Sequence, residues 1–237
     1  MYHDINFCEN SFSVQTFSDY ERKIQAYKLR HQVFAKTLKW VPEGQDGLEY
    51  DEYDMHAVHF GVFNEHNELT SYMRLIMPDN EFMLEKIDVF RKLLPKGFVL
   101  KKDSTAEISR FCTTPSNRNI LVKTQIGDFS QSVYLLNGVY HWCSLNNIRY
   151  LYAVTEHKIY RLFKSYGFPF KPIDDSFYVM PDGPKIAIIV LDWREFEKEL
   201  QLKNKKLYFW FTKCLLHSQN REVSLSQPSE ADLLCPV

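Results

Sequence analysis

An arginine interrupts the apolar alternation of Thr70–Met77 (TSYMRLIM). Met73, Leu75 and Met77 fall on one face of this strand-like run, and Tyr72, Arg74 and Ile76 on the other. A guanidinium carried into an apolar layer must find a carboxylate or a cavity there. The same problem arises twice more. Ser18-Asp19-Tyr20-Glu21 has the form of a capping box and opens a helix to about Ala35. Within it Ile24, Tyr27, Arg30 and Phe34 share one face. Glu107–Cys112 reads as a strand, with Glu107 and Ser109 on one face and Arg110 on the other unless a bulge intervenes. Carboxylates are available in the loop Trp40–Asp54, which holds Glu43, Asp46, Glu49, Asp51, Glu52 and Asp54. Asp51 and Asp54 are the candidate partners. Trp40, Tyr50 and Tyr53 interleave aromatics with this charge, which a merely solvated acidic loop does not need.

The remaining elements set the fold class. Ala57–Phe63 and Thr70–Met77 are strands joined by a polar turn at Asn64-Glu65-His66-Asn67. Met83–Leu94 reads as a short helix. A long amphipathic helix is expected from about Thr124 to Leu145, through Ile126, Phe129, Val133, Leu136 and Val139. Arg149–Thr155 and Lys185–Leu191 are strands, His157–Tyr166 is a helix closed by Gly167, and Trp193–Leu200 is a helix. Paired strands followed by strands alternating with helices predict an α/β (α+β) fold: a mixed sheet with helices on both faces. The expected domain spans residues 1–202. Residues 203–237 are expected to add a helix at Lys203–Leu216 and a polar, mobile tail containing Pro228 and Pro236.

Composition narrows the function. A hydrophobic fraction of 45% over 237 residues allows a sizeable core. Eighteen Phe and fourteen Tyr suit either an aromatic core or an apolar slot for a ligand. A net charge of −1 gives no nucleic-acid footprint. No apolar run reaches membrane-spanning length, and MYHDINFCENSF lacks the pattern of a signal peptide, so a cytoplasmic protein is expected. The five cysteines, Cys8, Cys112, Cys143, Cys214 and Cys235, are odd in number and lack CxxC spacing, which predicts free, mostly buried thiols. His56 and His59 are three apart on a strand and point to opposite faces, so no metal site is expected. Cys112 reads as a buried, inert thiol rather than a nucleophile. GxGxxG, P-loop and GxSxG motifs are absent. Arg30, Arg74, Glu107 and Arg110 remain. They fit a structural ion network, and equally a site in which carboxylates take an ammonium or sulfonium and arginine takes a carboxylate.

These residues resemble a known family. Arg30, Phe34, Trp40 and Glu49-x-Asp51-x-x-Asp54 are similar, in order and spacing, to the N-terminal signature of the LuxI-type autoinducer synthases, which make N-acyl-homoserine lactones. Arg74 in YMRL, Met83-Leu84 with Phe90, and Glu107-Ile108-Ser109-Arg110-Phe111 (E-x-SRF) continue the pattern, so the resemblance covers roughly residues 25–195. It implies a GNAT-like fold: a twisted mixed sheet with a splayed strand pair. The glycine-rich pyrophosphate loop of GNAT acetyltransferases is missing after the E-x-SRF motif, where Cys112–Arg118 contains no glycine. An acyl carrier protein is therefore the expected donor. DEYDMHAVHFGVF is similar to relatives that acylate amino acids, including those associated with exosortase systems. Trp40 and the full acidic array resemble the lactone makers more closely.

The resemblance implies a mechanism. The acceptor is S-adenosylmethionine, the donor an acyl–acyl carrier protein thioester, and no further cofactor is needed. Glu107 is the expected base, with Asp51 second. Arg30, Asp51, Asp54, Arg74 and Arg110 shape the amine site with Glu49 and Ser109, and Phe34 and Trp40 wall it. Thr155 resembles the family position that favours a 3-oxo chain, although a strand-end hydroxyl bonded to backbone reads the same. Carrier docking is expected on basic residues among Lys101, Lys102, Arg118, Lys123, Lys158, Arg161 and Lys164. The alternatives are an N-acyl amino acid synthase and a non-catalytic module that binds an acyl ligand.

Overall fold

Nine strands form one sheet among residues 2–174, 177–179 and 183–212, the residues that the structure, a computed structural model, describes. An N-terminal hairpin, β1 (Asn6–Glu9) and β2 (Phe12–Phe17), leads into helix α1 (Tyr20–Arg30). A second hairpin follows, β3 (Ala57–Asn64) and β4 (Leu69–Ile76). Two one-turn helices, α2 (Met83–Lys86) and α3 (Asp88–Arg91), precede β5 (Thr105–Thr113). A small separate hairpin, β6 (Leu121–Thr124) and β7 (Gly127–Ser130), precedes α4 (Gln131–Leu145). Then come β8 (Tyr150–Glu156), α5 (His157–Ser165), the short strands β9 (Lys171–Pro172) and β10 (Tyr178–Val179), and β11 (Lys185–Asp192). Helices α6 (Trp193–Lys203) and α7 (Lys205–Thr212) end the described chain.

The sheet order is β1-β2-β3-β4-β5-β8-β11-β10, with β9 also on β11. Neighbours are antiparallel except for β5 and β8, which are parallel. A parallel pair needs a crossover longer than a hairpin, and α4 supplies it. Core residues divide as the alternation of β4 predicts. Met73, Leu75 and Met77 lie with Phe60, Ile108, Leu151 and Ile189 against α4, α6 and α7. On the other face Tyr72 packs with Phe17, Phe63 and the α1 residues Ala26 and Leu29, while Ile76 packs with Met83 and Leu84. Gly138 lets α4 lie close to β2: a Cβ there would stand 2.5 Å from Val14 Cγ2.

Three expectations need correction. The cap of α1 is Asp19, not Ser18: Asp19 Oδ1 accepts from the Arg22 N–H at 3.0 Å. The long helix begins at Gln131 rather than Thr124, because Ile126 and Phe129 keep helical spacing to Val133 while Gly127, at φ +146°, turns the chain back into a hairpin. Ser130 then caps α4, accepting from Val133 N–H at 3.4 Å. Met83–Leu94 is two single turns rather than one helix. The hairpin β1–β2 has no counterpart in the sequence reading; its first strand buries only Phe7, too little to show a period.

Beyond the expected boundary at residue 202, α7 shares the main core through Leu207, Trp210 and Phe211. Trp210 stacks on Phe129 at 4.6 Å and its Nε1–H donates to Glu9 at 3.3 Å. The expected tail, with Cys214 and Cys235, lies outside the described residues. Cys112 and Cys143 are buried and Cys8 is exposed. Among the described residues no helix is long and apolar enough to cross a membrane.

Candidate active site

The acidic loop folds onto α1 and β4 and solves the arginine problem. Its backbone is pinned to the helix by the Glu49 N–H, which donates to the Tyr27 carbonyl at 3.1 Å. A 3₁₀ turn, Glu52–Met55, explains the Asp51-x-x-Asp54 spacing: Asp51 Oδ1 accepts from Tyr53 N–H at 3.0 Å, and Asp54 Oδ2 accepts from Asp51 N–H at 2.8 Å. The carboxylates so presented meet the arginines. Arg30 donates to Glu49 at 2.5 Å and to Asp54 at 2.6 Å. Arg74 grips Asp51 with two bonds of 2.5 and 2.7 Å, lies 2.7 Å from Asp54, and donates through Nε to Ser109 Oγ at 2.8 Å. Arg110 donates to Glu49 at 2.9 Å and to Asp51 at 3.0 Å.

Arg110 reaches this cluster because β5 is bulged. Ser109 pairs with Arg74 but Cys112 pairs with Tyr72, so Arg110 and Phe111 together oppose Met73. Arg110 takes φ +56°. The extra residue turns its side chain to the face of Ser109, and sends Phe111 to the other face, where it meets Phe163 at 5.5 Å.

Three arginines balance three carboxylates, and the electrostatics follow. Burial alone would raise the Asp54 pKa, but Arg30 and Arg74 outweigh it and hold it down to about 2. Burial opposes ionisation of Glu49 too, and hydrogen bonds from Arg110 and Arg30 keep its pKa below the usual range. Arg30 and Arg74 are fully buried. Asp51 and Arg110 keep side-chain exposures of 23% and 16%, so they are the members that reach outward. They face a cleft of about 630 Å³ beneath the loop of residues 41–51. Phe34 packs 5.7 Å from the Arg110 guanidinium, with the half-exposed Trp40 5.9 Å from Phe34, but neither ring lines the cleft, whose walls come from residues 41–51 and Arg110. A larger hollow of about 1020 Å³, at the opposite end of the sheet beside Lys101, Tyr140 and Trp193, contains none of these charged groups.

Glu107 lies on the Ser109 face of β5 but outside the ion pairs. Its carboxylate is buried, 3.5 Å from the Leu84 N–H. Burial pushes its pKa up to about 8, against weaker opposing pulls from the Leu84 and Met83 N–H groups and Arg74. One residue further on the sheet opens. β5 and β8 are in register from Thr105↔Tyr150 to Ile108↔Ala153 and no further. Beyond that, β5 follows β4, and Val154–Glu156 follow β11. Thr155 stands on the far wall of this gap, opposite Ala187, and shares its face with Leu151 and Ala153 rather than with Glu107.

Three residues at the site escaped the sequence reading in this role. His59 Nε2 lies 3.1 Å from the Asp54 carbonyl, and Nδ1 lies 2.8 Å from the Tyr72 hydroxyl. Tyr53 lies 5.7 Å from the Arg74 guanidinium with its hydroxyl buried and unpartnered. Burial, and then the charges of Glu52, Glu107 and Asp51, push the Tyr53 pKa up to about 12. The available signal was register: His59 pairs directly with Arg74 across β3 and β4. Burial likewise pushes the Cys112 thiol up to about 12, which suits an inert side chain. Among the described residues no group of three or more His, Cys, Asp or Glu is placed to hold a metal.

Known proteins share this architecture. An acyl-homoserine-lactone synthase of Vibrio anguillarum is 26% identical over 174 residues, covering 73% of this chain and 85% of its own length. A CoA-dependent acyl-homoserine lactone synthase, BjaI, solved with SAM and isopentyl-CoA, superposes with a TM-score of 0.63 at 20% identity, over 81% of each chain. FeeM, an N-acyl amino acid synthase, superposes with a TM-score of 0.51 at 15% identity, over 79% of this chain and 94% of that one. The mixed sheet, its flanking helices and the parting of β5 from β8 are the GNAT-like arrangement that the resemblance implied. The family model for autoinducer synthases matches residues 15–195, a stretch that includes every residue of the ion cluster, Glu107 and both walls of the gap, and by that match the chain is a member of the autoinducer synthase family and an acyltransferase.

Proposed function

We propose that this enzyme acylates the amine of S-adenosylmethionine with a fatty acyl group from an acyl carrier protein, and closes the product to an N-acyl-homoserine lactone. The observation that carries this reading is the position of Glu107: a buried carboxyl with a pKa near 8, on the same face of β5 as Ser109, which Arg74 of the ion cluster binds, and just before the sheet parts. The cleft is lined by Asp51, Glu49 and Asp46 as well as Arg110, which suits a substrate with two cationic groups and one carboxylate. Phe34 and Trp40 offer aromatic faces to the sulfonium.

In the first step the substrate nitrogen attacks the thioester carbonyl carbon, the carbon–sulfur bond breaks, and the carrier thiol leaves. Glu107 takes the amine proton. Asp51 is the poorer base, since Arg74 and Arg110 occupy both its oxygens. Backbone N–H groups along the parted edges of β5 and β8 serve the developing oxyanion. In the second step the substrate carboxylate displaces the neutral thioether from the sulfonium carbon, closing the lactone. Thr155 contacts the acyl chain on the core side. The reaction takes place in the cytoplasm and uses no metal or cofactor.

Donor docking belongs to α5. This helix starts where β8 leaves the gap, and it carries Lys158, Arg161 and Lys164. Lys158 is held by Glu156 at 2.5 Å, so the docking charge rests on Arg161 and Lys164; Lys101 and Lys102 precede β5 at the other end of the sheet, and Lys102 is held by Glu85 at 2.5 Å. The decisive experiment incubates the purified enzyme with S-adenosylmethionine, a mixture of free amino acids, and either acyl–acyl carrier protein or acyl-CoA, and reads products by mass spectrometry. Lactone from the carrier-bound donor supports the reading. Lactone from acyl-CoA alone replaces the donor, and an N-acyl amino acid, the product class named for FeeM, replaces the acceptor.

A further inference from the structure

We propose that His59 is a positioning residue for the amine site: a neutral imidazole, protonated on Nε2, that pins the Asp54 carbonyl and so aims the turn carrying Asp51 and Asp54 at the arginines. The inference rests on the reading of that cluster as the amine site.

The hydrogen-bond pattern fixes the tautomer. A peptide carbonyl only accepts, so the ring nitrogen 3.1 Å from Asp54 O carries the hydrogen. Nδ1 then holds the lone pair, and the Tyr72 hydroxyl at 2.8 Å donates to it. One neutral form satisfies both contacts. An imidazolium would place a second hydrogen between Nδ1 and the Tyr72 oxygen and turn the hydroxyl hydrogen away. Nearby stands Arg30, its guanidinium 5.8 Å from the Tyr72 ring, which can only donate. His59 and Tyr72 are both fully enclosed, and Phe17 adds an apolar ring 5.7 Å from the imidazole. Among the charged groups, Asp54 favours an imidazolium, Lys23 and Arg30 oppose it, and Arg74 is the Cα partner across the ladder. Burial exceeds all of these and brings the His59 pKa down to about 4.

The pinned carbonyl belongs to the residue that ties the cluster together. The Asp54 carboxylate meets both Arg30 and Arg74 and also accepts from the Asp51 N–H. Fixing its backbone from beneath therefore fixes Asp51, which faces the cleft. A ring that only filled space would need neither nitrogen.

The test compares three variants with the wild type. His59→Gln places an amide N–H where Nε2 stands; His59→Phe and His59→Asn do not. Loss of a buried bond to a binding turn should raise the KM for S-adenosylmethionine about 10-fold in His59→Phe and His59→Asn, leave the acyl-donor KM within about 2-fold, and be restored to within about 3-fold in His59→Gln. In ¹⁵N-histidine-labelled wild type, His59 should show the neutral Nε2–H tautomer at pH 7 and hold it to about pH 5. An imidazolium or an Nδ1–H tautomer at pH 7 overturns the proposal. So does an equal rise in both KM values, or a His59→Gln variant no better than His59→Asn. The spectrum needs no turnover, so a wild type that makes no lactone removes the functional reading while the tautomer is still decided. Should His59→Phe fail to fold, His59→Asn against His59→Gln carries the comparison.

Discussion

Glu107 is the residue on which the pH behaviour turns. A base must be ionised, so kcat/KM for the amine substrate should rise with pH through about 8, the value that burial imposes in the free enzyme. Two cationic groups bound nearby favour the carboxylate, so the corresponding limb in kcat should lie lower. Glu107→Gln should cut kcat/KM by about 10²- to 10⁴-fold and abolish that limb; unchanged turnover removes Glu107 from its role. Stability responds with both signs. The Asp54 pKa is depressed to about 2, so its contribution is present above the ordinary carboxylate range and is lost as pH falls through 2. His59 is depressed to about 4, so its contribution is present above the unfolded histidine value near 6.5 and falls away below it. Glu107 is raised, so its contribution is complete below about 4.5 and is lost as pH rises through 8. Urea unfolding at a series of pH values should give a broad maximum between about pH 4.5 and 6.5, where the Glu107 and His59 slopes offset, and a fall from there to about pH 8; Glu107→Gln should abolish that fall and move the maximum above about pH 6.5. Arg30, Arg74 and Asp54 were legible in the sequence because charge inside an apolar period has few explanations. His59 was not, because its partner is a backbone carbonyl and its place opposite Arg74 shows only once the β3–β4 register is known. The facing of Arg110 depended on a bulge at a non-glycine residue, which local sequence does not declare.

At the level of elements, the strands around the site were legible and the helix boundaries were not. β4 follows period 2 throughout and β5 as far as Ser109, whereas the start of α4 was misplaced because hairpin residues Ile126 and Phe129 continue its helical spacing by coincidence. Helix α1 passes into a π-helical stretch, His31–Thr37, a widening with no compositional sign. Close approach of α4 to β2 gives a test of packing. Gly138→Ala gains helix propensity, but its Cβ would meet Val14 at 2.5 and 3.0 Å, and a β-branched side chain yields little. The clash should win, lowering stability by about 1–3 kcal/mol, and Val14→Ala should restore part of the loss in a double-mutant cycle; additive effects would show that the two do not meet. At α7, Trp210→Ala should cost about 3–5 kcal/mol by denaturant unfolding, since the ring closes the core against Phe129.

Across the whole molecule, long-range charge should act at one end of the gap. Carrier proteins are acidic, and charge reversal on α5 by Arg161→Glu should raise the KM for the carrier-bound donor several-fold, more at low salt than at high, without moving the KM for S-adenosylmethionine. An equal effect on both substrates would place the docking surface elsewhere. The seam between β5 and β8 has a wider consequence. Among the described residues only four ladder pairs join the antiparallel half made of β1–β5 to the antiparallel half made of β8–β11. In our reading the first half holds everything that selects the amine, and the second holds Thr155 and the docking helix. The two vocabularies of the signal, head group and tail, are thus written in separate, consecutive stretches of one chain. Such a layout lets descent edit one without rewriting the other: grafting the segment after α4 from a relative with a different acyl preference should change the tail of the product and leave its head untouched.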